Sequence, residues 1–214
     1  MAREVPGVPA TEAAATRLDV RGLRSARAGP FDLQVDGGEC VMLMGRSGSG
    51  KTVLLRLIAD LDPGSGTVAL SGQAREAMPA HNWRRQVIYQ AAEPAWWAPT
   101  VRAHLTPQTL PRVEPLIPRL GLAPDMLDAD LTRLSTGERQ RFALLRSLSC
   151  QPAVLLLDEP TAALDVNSTL AYEQVLRDEL ARGLGVLWVT HSPEQAQRMG
   201  HRCIMLDAPR PEPA

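Results

Sequence analysis

The sequence predicts an α/β fold with a mostly parallel sheet. Short β-like runs alternate with helical patterns over most of the chain. The most apolar of the early runs leads straight into a glycine-rich loop. A composition of 44% hydrophobic residues with a formal charge of −1 gives enough apolar side chains for one folded core and excludes disorder as the main state.

Residues 1–16 are small, polar and interrupted by proline, and read as a flexible lead-in. Strand patterns follow at 40–44, 67–70, 86–90, 153–157, 185–190 and 202–206, with helical patterns at 51–59, 136–149 and 169–182. Between Ala91 and Arg133 the rhythm breaks. That stretch holds seven of the 18 prolines and no β-run, which predicts an irregular, partly helical lobe inserted into the core. The tail, DAPRPEPA at 207–214, reads as a disordered end. The organisation expected is one domain over 17–206, with 91–149 forming a helical subdomain.

Composition limits the function. Twenty-three basic residues against 24 acidic ones exclude a nucleic-acid binder that works through a strongly basic surface. The longest apolar runs are five residues, at 40–44 and 153–157, whereas a membrane-spanning helix needs about 20. No secretory apolar region stands near the start. Three cysteines far apart, Cys40, Cys150 and Cys203, make neither a disulfide framework nor a zinc site and fit a reducing cytosol. All but one of the 23 basic residues are Arg. The single lysine, Lys51, marks a place that wants a compact ammonium where a guanidinium fork would not fit.

Lys51 lies in GRSGSGKT, residues 45–52, a G-x-x-x-x-G-K-[ST] loop between the apolar run CVMLM and the amphipathic run VLLRLIA. Glycines let such a loop curl, so that backbone N–H groups from Gly45, Arg46, Ser47, Gly48, Ser49 and Gly50 point at phosphate oxygens. The helix that follows turns its N-terminus to the same anion. Lys51 is expected to pair the β- and γ-phosphates of a nucleoside triphosphate, and Thr52 to offer its hydroxyl to Mg2+. AVLLLDEP, residues 153–160, is a buried strand ending in two carboxylates. In a doubly wound sheet Asp158 then stands beside the phosphate loop, as a holder of Mg2+. Glu159, one residue on, is placed to polarise the attacking water.

LSTGERQR, residues 134–141, contains an S-x-x-E capping box in Ser135 and Glu138, opening a helix with Phe142, Leu145 and Leu148 on one face. Gly137 keeps backbone accessible at that N-terminus, a second anion site in the same chain. This segment resembles the signature of ABC-type ATPases, the nucleotide-binding subunits of ABC transporters. The other motifs of that family stand in order: QVIYQ ending at Gln90, TAALD at 161–165, and WVTHS carrying His191. DPGSGTVALSG from Asp62 resembles the segment after the phosphate-loop helix, and the likeness covers residues 18–206.

The resemblance implies a P-loop NTPase of ABC type with an N-terminal antiparallel β portion and a short helical subdomain. It implies ATP as substrate with Mg2+, Gln90 contacting the metal and attacking water, and His191 contacting the γ-phosphate. Ser135, Gly137 and Glu138 would close over ATP held by the loop of another subunit, in a head-to-tail homodimer or heterodimer. The implied partner is an integral membrane permease, with this chain peripheral on the cytoplasmic face of the cell membrane and no nucleic acid involved. Among the family's kinds, the compact length and the APDML segment look most similar to small ATPases of iron-type metal exporters. The alternative is an ABC ATPase that transports nothing, coupled to an envelope or division protein, DNA or ribosomes. Within the family pattern, Thr136 stands where many members carry glycine and Glu138 where many carry glutamine. No Phe, Tyr or Trp precedes Phe31 to stack on adenine, which leaves Arg24 or Arg27 as the candidate. Trp96 and Trp97, just after Gln90, suit either the core of the small lobe or a surface that receives the permease.

Overall fold

A computed structural model of the chain describes residues 3–5 and 15–206. After β1 (Arg3–Val5) come β2 (Thr16–Arg24), β3 (Phe31–Asp36), β4 (Cys40–Gly45), α1 (Lys51–Ile58), β5 (Ser65–Leu70), β6 (Gln73–Ala74), α2 (Ala80–Gln86) and β7 (Val87–Gln90). A lobe of single 3-10 turns and two short helices, α3 (Leu110–Val113) and α4 (Leu116–Arg119), follows. The chain then alternates regularly: α5 (Thr136–Ser149), β8 (Val154–Asp158), α6 (Val166–Ala181), β9 (Gly185–Val189), α7 (Pro193–Met199) and β10 (Arg202–Leu206).

The strands form two sheets. The larger has the order β1-β10-β4-β9-β8-β7, parallel throughout except for β1 at its edge. The smaller, β3-β2-β5-β6, is antiparallel. The difference is written in the burial pattern. In β3 the residues alternate, with Phe31, Leu33 and Val35 inside and Asp32 and Gln34 exposed, as a strand covered on one face requires. In β8 and β9 every residue is buried. Leu155 and Leu157 face one core with Val186 and Trp188, while Leu156 faces the other with Leu187 and Val189. Helix α1 covers the second of these cores through Leu54, Leu55, Leu57 and Ile58, and α5 and α6 cover the first.

Several elements differ from the sequence pattern. The lead-in expected over 1–16 is drawn into structure at Arg3–Val5, which pairs antiparallel with β10. An otherwise open parallel edge offers unpaired N–H and C=O groups, and three residues suffice to take them. Thr16 already belongs to β2, and the expected tail at 207–214 lies outside the described residues. The strand pattern at 86–90 begins one residue later, because α2 occupies residues up to Gln86. That helix is anchored by Trp83, which is fully buried and donates its indole N–H to the Ile58 carbonyl at 2.9 Å. Finally, α6 starts three residues before the predicted helix. Asp165 caps it by accepting from the Ser168 N–H at 2.9 Å, and these backbone and hydroxyl bonds hold the Asp165 carboxyl below the usual carboxylate range.

The lobe is stitched to the rest by α5. Val101, Ile117, Leu120 and Leu127 pack into the same core as Phe142 and Leu145. Arg141 donates to the Leu120 carbonyl at 2.8 Å. A single bridge, Thr100 with Asp130, is all the β pairing the lobe has among its described residues.

Candidate functional site

Parallel strands end on one edge, and the residues singled out in the sequence collect there. Gly45 ends β4, Asp158 ends β8, Gln90 ends β7, and His191 stands two residues beyond β9. The glycine-rich loop needs its glycines for different reasons. Gly50 has φ 92° at the cap of α1, and a Cβ there would stand 2.9 Å from the Ala28 Cβ in the β2–β3 turn. At Gly45, φ 146°, a Cβ would stand 2.4 Å from the Leu206 carbonyl oxygen at the end of β10. The loop is therefore wedged between the β2–β3 turn and the end of β10.

Arg46, Ser47 and Gly48 are exposed, while Ser49 is buried, its hydroxyl without a partner. Lys51 is only 7% exposed, and its ammonium folds back over the loop, donating to the carbonyls of Gly45 at 2.8 Å and Arg46 at 3.0 Å. A buried ammonium, an unpartnered hydroxyl and the free N–H groups at the start of α1 together make a pocket that a polyphosphate would satisfy.

Beside it, the Thr52 hydroxyl donates to Asp158 Oδ2 at 2.8 Å. The sequence reading missed the second donor to that oxygen, the Tyr89 hydroxyl at 3.0 Å. Burial, and then the charge on Asp158, push the Tyr89 phenol above its usual range, so it stays a neutral donor. The aromatic preceding Gln90 was the only signal available. The Thr52 hydroxyl and the Asp158 carboxylate form a compact set of hard oxygen donors at the mouth of the loop, which fits Mg2+ better than any softer metal.

Glu159 adopts φ 47°, left-handed backbone that a side chain other than glycine rarely takes, and its N–H donates to Val189 O at 3.1 Å. The carboxylate reaches His191, with Oε1 3.0 Å from Nε2. These two residues, distant in sequence, are thus one unit at the strand ends.

Gln90 is not part of it. Its amide donates from Nε2 to the Tyr172 hydroxyl at 3.2 Å and accepts from the Ser147 hydroxyl at 3.4 Å. A side chain only 3% exposed must find partners, and α5 and α6 supply two hydroxyls on the far side from Asp158.

Ser135, Gly137 and Glu138 form a second cluster. The capping box is complete: Ser135 Oγ accepts from Glu138 N at 3.2 Å, and Glu138 Oε2 accepts from Ser135 N at 2.8 Å. A Cβ on Gly137 would lie 3.2 Å from both Ala163 O and Leu164 Cδ2, so the N-terminus of α5 leans on the TAALD turn. Among the described residues no hydrogen bond or ion pair joins this cluster to the phosphate loop. Of the arginines considered for the base, Arg24 donates to Ser65 Oγ at 3.2 Å and Arg27 is exposed beside the loop's hairpin.

The paired tryptophans separate by role. Trp96 packs against the main core, whereas Trp97 is 75% exposed. Trp97 is nevertheless fixed. Its ring meets His104 edge-on at 4.5 Å, and the Arg146 guanidinium lies 4.9 Å from its centroid. Burial lowers Arg146 below the usual arginine range.

A family model described as "ABC transporter" matches residues 29–162. The aliphatic sulfonates import ATP-binding protein of Agrobacterium fabrum is 34% identical over 97% of this chain and 82% of its own length. The "Probable iron export ATP-binding protein" of Escherichia coli is 35% identical over 74% of this chain and 75% of its own. A solved structure titled "Structure of ATP binding subunit of ABC transporter" superposes with a TM-score of 0.81 at 25% identity, covering 89% of this chain and 86% of that one. With the phosphate loop, the paired acids and the histidine of this site already in place, these likenesses settle the matter: the chain belongs to the ABC transporter family, as an ATP-binding subunit and an ATPase.

Proposed function

We propose that this subunit drives a separate membrane permease by closing head to tail with a second subunit around two ATP and reopening on hydrolysis. The observation that carries this reading is the pair of helix N-termini in one chain. One belongs to the phosphate loop, and the other, at Ser135 and Gly137, has no phosphate loop of its own beside it. Two-fold pairing gives each loop the other subunit's signature and makes two composite sites.

Within each site, Gly45, Arg46, Ser47, Gly48, Ser49 and Gly50 bind phosphate through backbone N–H groups and Lys51 binds it through its ammonium. Thr52 and Asp158 would hold Mg2+, which would neutralise charge on the phosphate oxygens. Tyr89 keeps the Asp158 carboxylate oriented. Glu159 takes the proton of the attacking water, and His191, hydrogen-bonded to it, lies where it can reach the γ-phosphate. Gln90 joins the site only after its amide leaves Tyr172 and Ser147. Ser135, Gly137 and Glu138 complete the partner's site.

Ser135→Arg tests the pairing. A guanidinium at that N-terminus breaks the capping box and projects bulk into the proposed interface. Hydrolysis is expected to fall to background while the monomer binds ATP with unchanged affinity, read by calorimetry and phosphate release. Full activity of the variant refutes the trans role.

No helix among the described residues is long and apolar enough to cross a membrane. In the reading proposed, the permease is a separate chain and this subunit sits peripherally on the cytoplasmic face. Trp97 supports the docking site: a large, rigid, exposed aromatic adjacent to the Gln90 loop has the character of an interface anchor. Trp97→Ala is expected to weaken capture of the permease by about 10-fold or more. The measurement is a pull-down from detergent-solubilised host membranes, with ATP binding by the isolated subunit as the control. Undiminished capture rejects the anchor. A pull-down that yields DNA, ribosomes or a single-span envelope protein in place of a multi-span permease favours the non-transport reading.

A further inference from the structure

We infer that Gln195 is a positioning residue for hydrolysis, joining the turn after Glu159 to the strand end before His191 through one buried amide. The inference rests on the roles proposed for Glu159 and His191. Gln195 sits in α7 and is only 4% exposed. Its carbonyl oxygen accepts from the Thr190 hydroxyl at 2.8 Å. Its Nε2 donates to the Thr161 hydroxyl oxygen at 3.0 Å and to Glu173 Oε1 at 3.2 Å, and the Thr161 hydroxyl in turn donates to the carbonyl oxygen at 3.4 Å. Thr190 is the residue before His191, and Thr161 lies two residues after Glu159.

The amide is itself immobilised. Glu173 is fully buried on α6, and Arg198, one turn along α7 from Gln195, takes both its oxygens, donating at 2.9 Å to Oε2 and 2.7 Å to Oε1. Arg177 adds a second cationic neighbour at 3.5 Å. A carboxylate buried away from water requires such neutralisation, and once neutralised it fixes which way the Gln195 amide faces. With Glu173 Oε1 fixed as an acceptor beside the amide nitrogen, rotation of the amide by half a turn would set the Gln195 carbonyl oxygen against that carboxylate. The network therefore permits one arrangement of the two site-bearing segments. It also explains α7, whose cap is Ser192, accepting from the Gln195 N–H at 3.2 Å immediately after His191.

A residue acting this way alters the geometry of the reacting groups and leaves the phosphate loop alone. Gln195→Met keeps the volume and removes all of these bonds, and Thr161→Val removes those to Thr161 while keeping the amide. Each is expected to lower kcat by about 10- to 100-fold, the usual consequence of a misplacement near 1 Å. The KM for ATP should stay within about two-fold of the parent, the signature of an interaction lost only in the chemical step. The double variant should be no slower than Gln195→Met alone, because both changes break the same link. Thr161→Val keeps the question open should Gln195→Met fail to fold. A kcat of Thr161→Val near the parent's, a rise in KM with kcat intact, or independent multiplication of the two effects would each overturn the inference. Glu159→Gln is assayed alongside. If it hydrolyses like the parent, the Glu159 assignment has failed; if it is inactive while Gln195→Met is not, only the Gln195 inference has.

Discussion

Lys51→Ala is expected to abolish ATP binding at concentrations that saturate the parent. The ammonium of Lys51 is buried against the loop and already held by the carbonyls of Gly45 and Arg46, so its desolvation is complete before nucleotide arrives. A phosphate oxygen placed in the loop meets a preorganised, poorly hydrated charge. Hydrogen bonds to charged groups contribute about 1.5–3 kcal/mol each. Losing contacts to the β- and γ-phosphates therefore corresponds to an affinity loss of about 100-fold or more. The variant also leaves two loop carbonyls without their donor, which loosens the curl that aims the backbone N–H groups. Calorimetric titration measures the affinity directly. Thermal unfolding gives a second readout, since a ligand at 100 times its Kd stabilises the parent by about 2.7 kcal/mol, an increment the variant should lack. An unchanged affinity would remove the phosphate-loop assignment. Lys51→Arg separates charge from shape: a guanidinium restores the charge, but its planar fork is bulkier than the compact ammonium the loop encloses, so it should fail to restore binding.

The parts of this site that were legible in the sequence are local ones. GRSGSGKT fixes its own chemistry in eight consecutive residues, and AVLLLDEP announces a strand whose last residue reaches the sheet edge. The S-x-x-E box at Ser135 closes as its spacing requires. What escaped was set by packing between distant segments. Gln90 is turned inward by Tyr172 and Ser147, neither of which carries a motif. Tyr89 reaches Asp158 only because β7 lies beside β8 in the sheet. The buried charge of Glu173 depends on an arginine 25 positions away. Helix α2, with two arginines and a tryptophan, has no apolar stripe to betray it. Its one fully buried residue, Trp83, does the anchoring by itself. The strand at Arg3–Val5 exists because of the free edge of β10, a tertiary circumstance with no local trace.

Glu159→Gln has the second large effect, and its logic lies in the backbone as much as in the carboxylate. A glutamate at φ 47° is strained, by about 1–3 kcal/mol for such conformations. The strain is sustained by the bond from its N–H to Val189 O and by the contact of its side chain with His191. Glutamine has the same shape and inherits both constraints, since an amide can still bond the imidazole. It cannot accept a proton from water. The variant should therefore fold and bind ATP like the parent while kcat falls by about 100- to 10,000-fold, the range for loss of a general base. Hydrolysis is also the step proposed to reopen the dimer. The same variant mixed with ATP should consequently elute as a stable dimer carrying unhydrolysed nucleotide, whereas the parent returns to monomer as ATP is consumed. Single-turnover phosphate release and light scattering on one sample decide both points together. Hydrolysis near the parent rate would assign the base elsewhere. A variant that is slow yet stays monomeric with saturating ATP would keep Glu159 as the base and reject the closed pair, because the chemistry of the site and the geometry of pairing would then be separable.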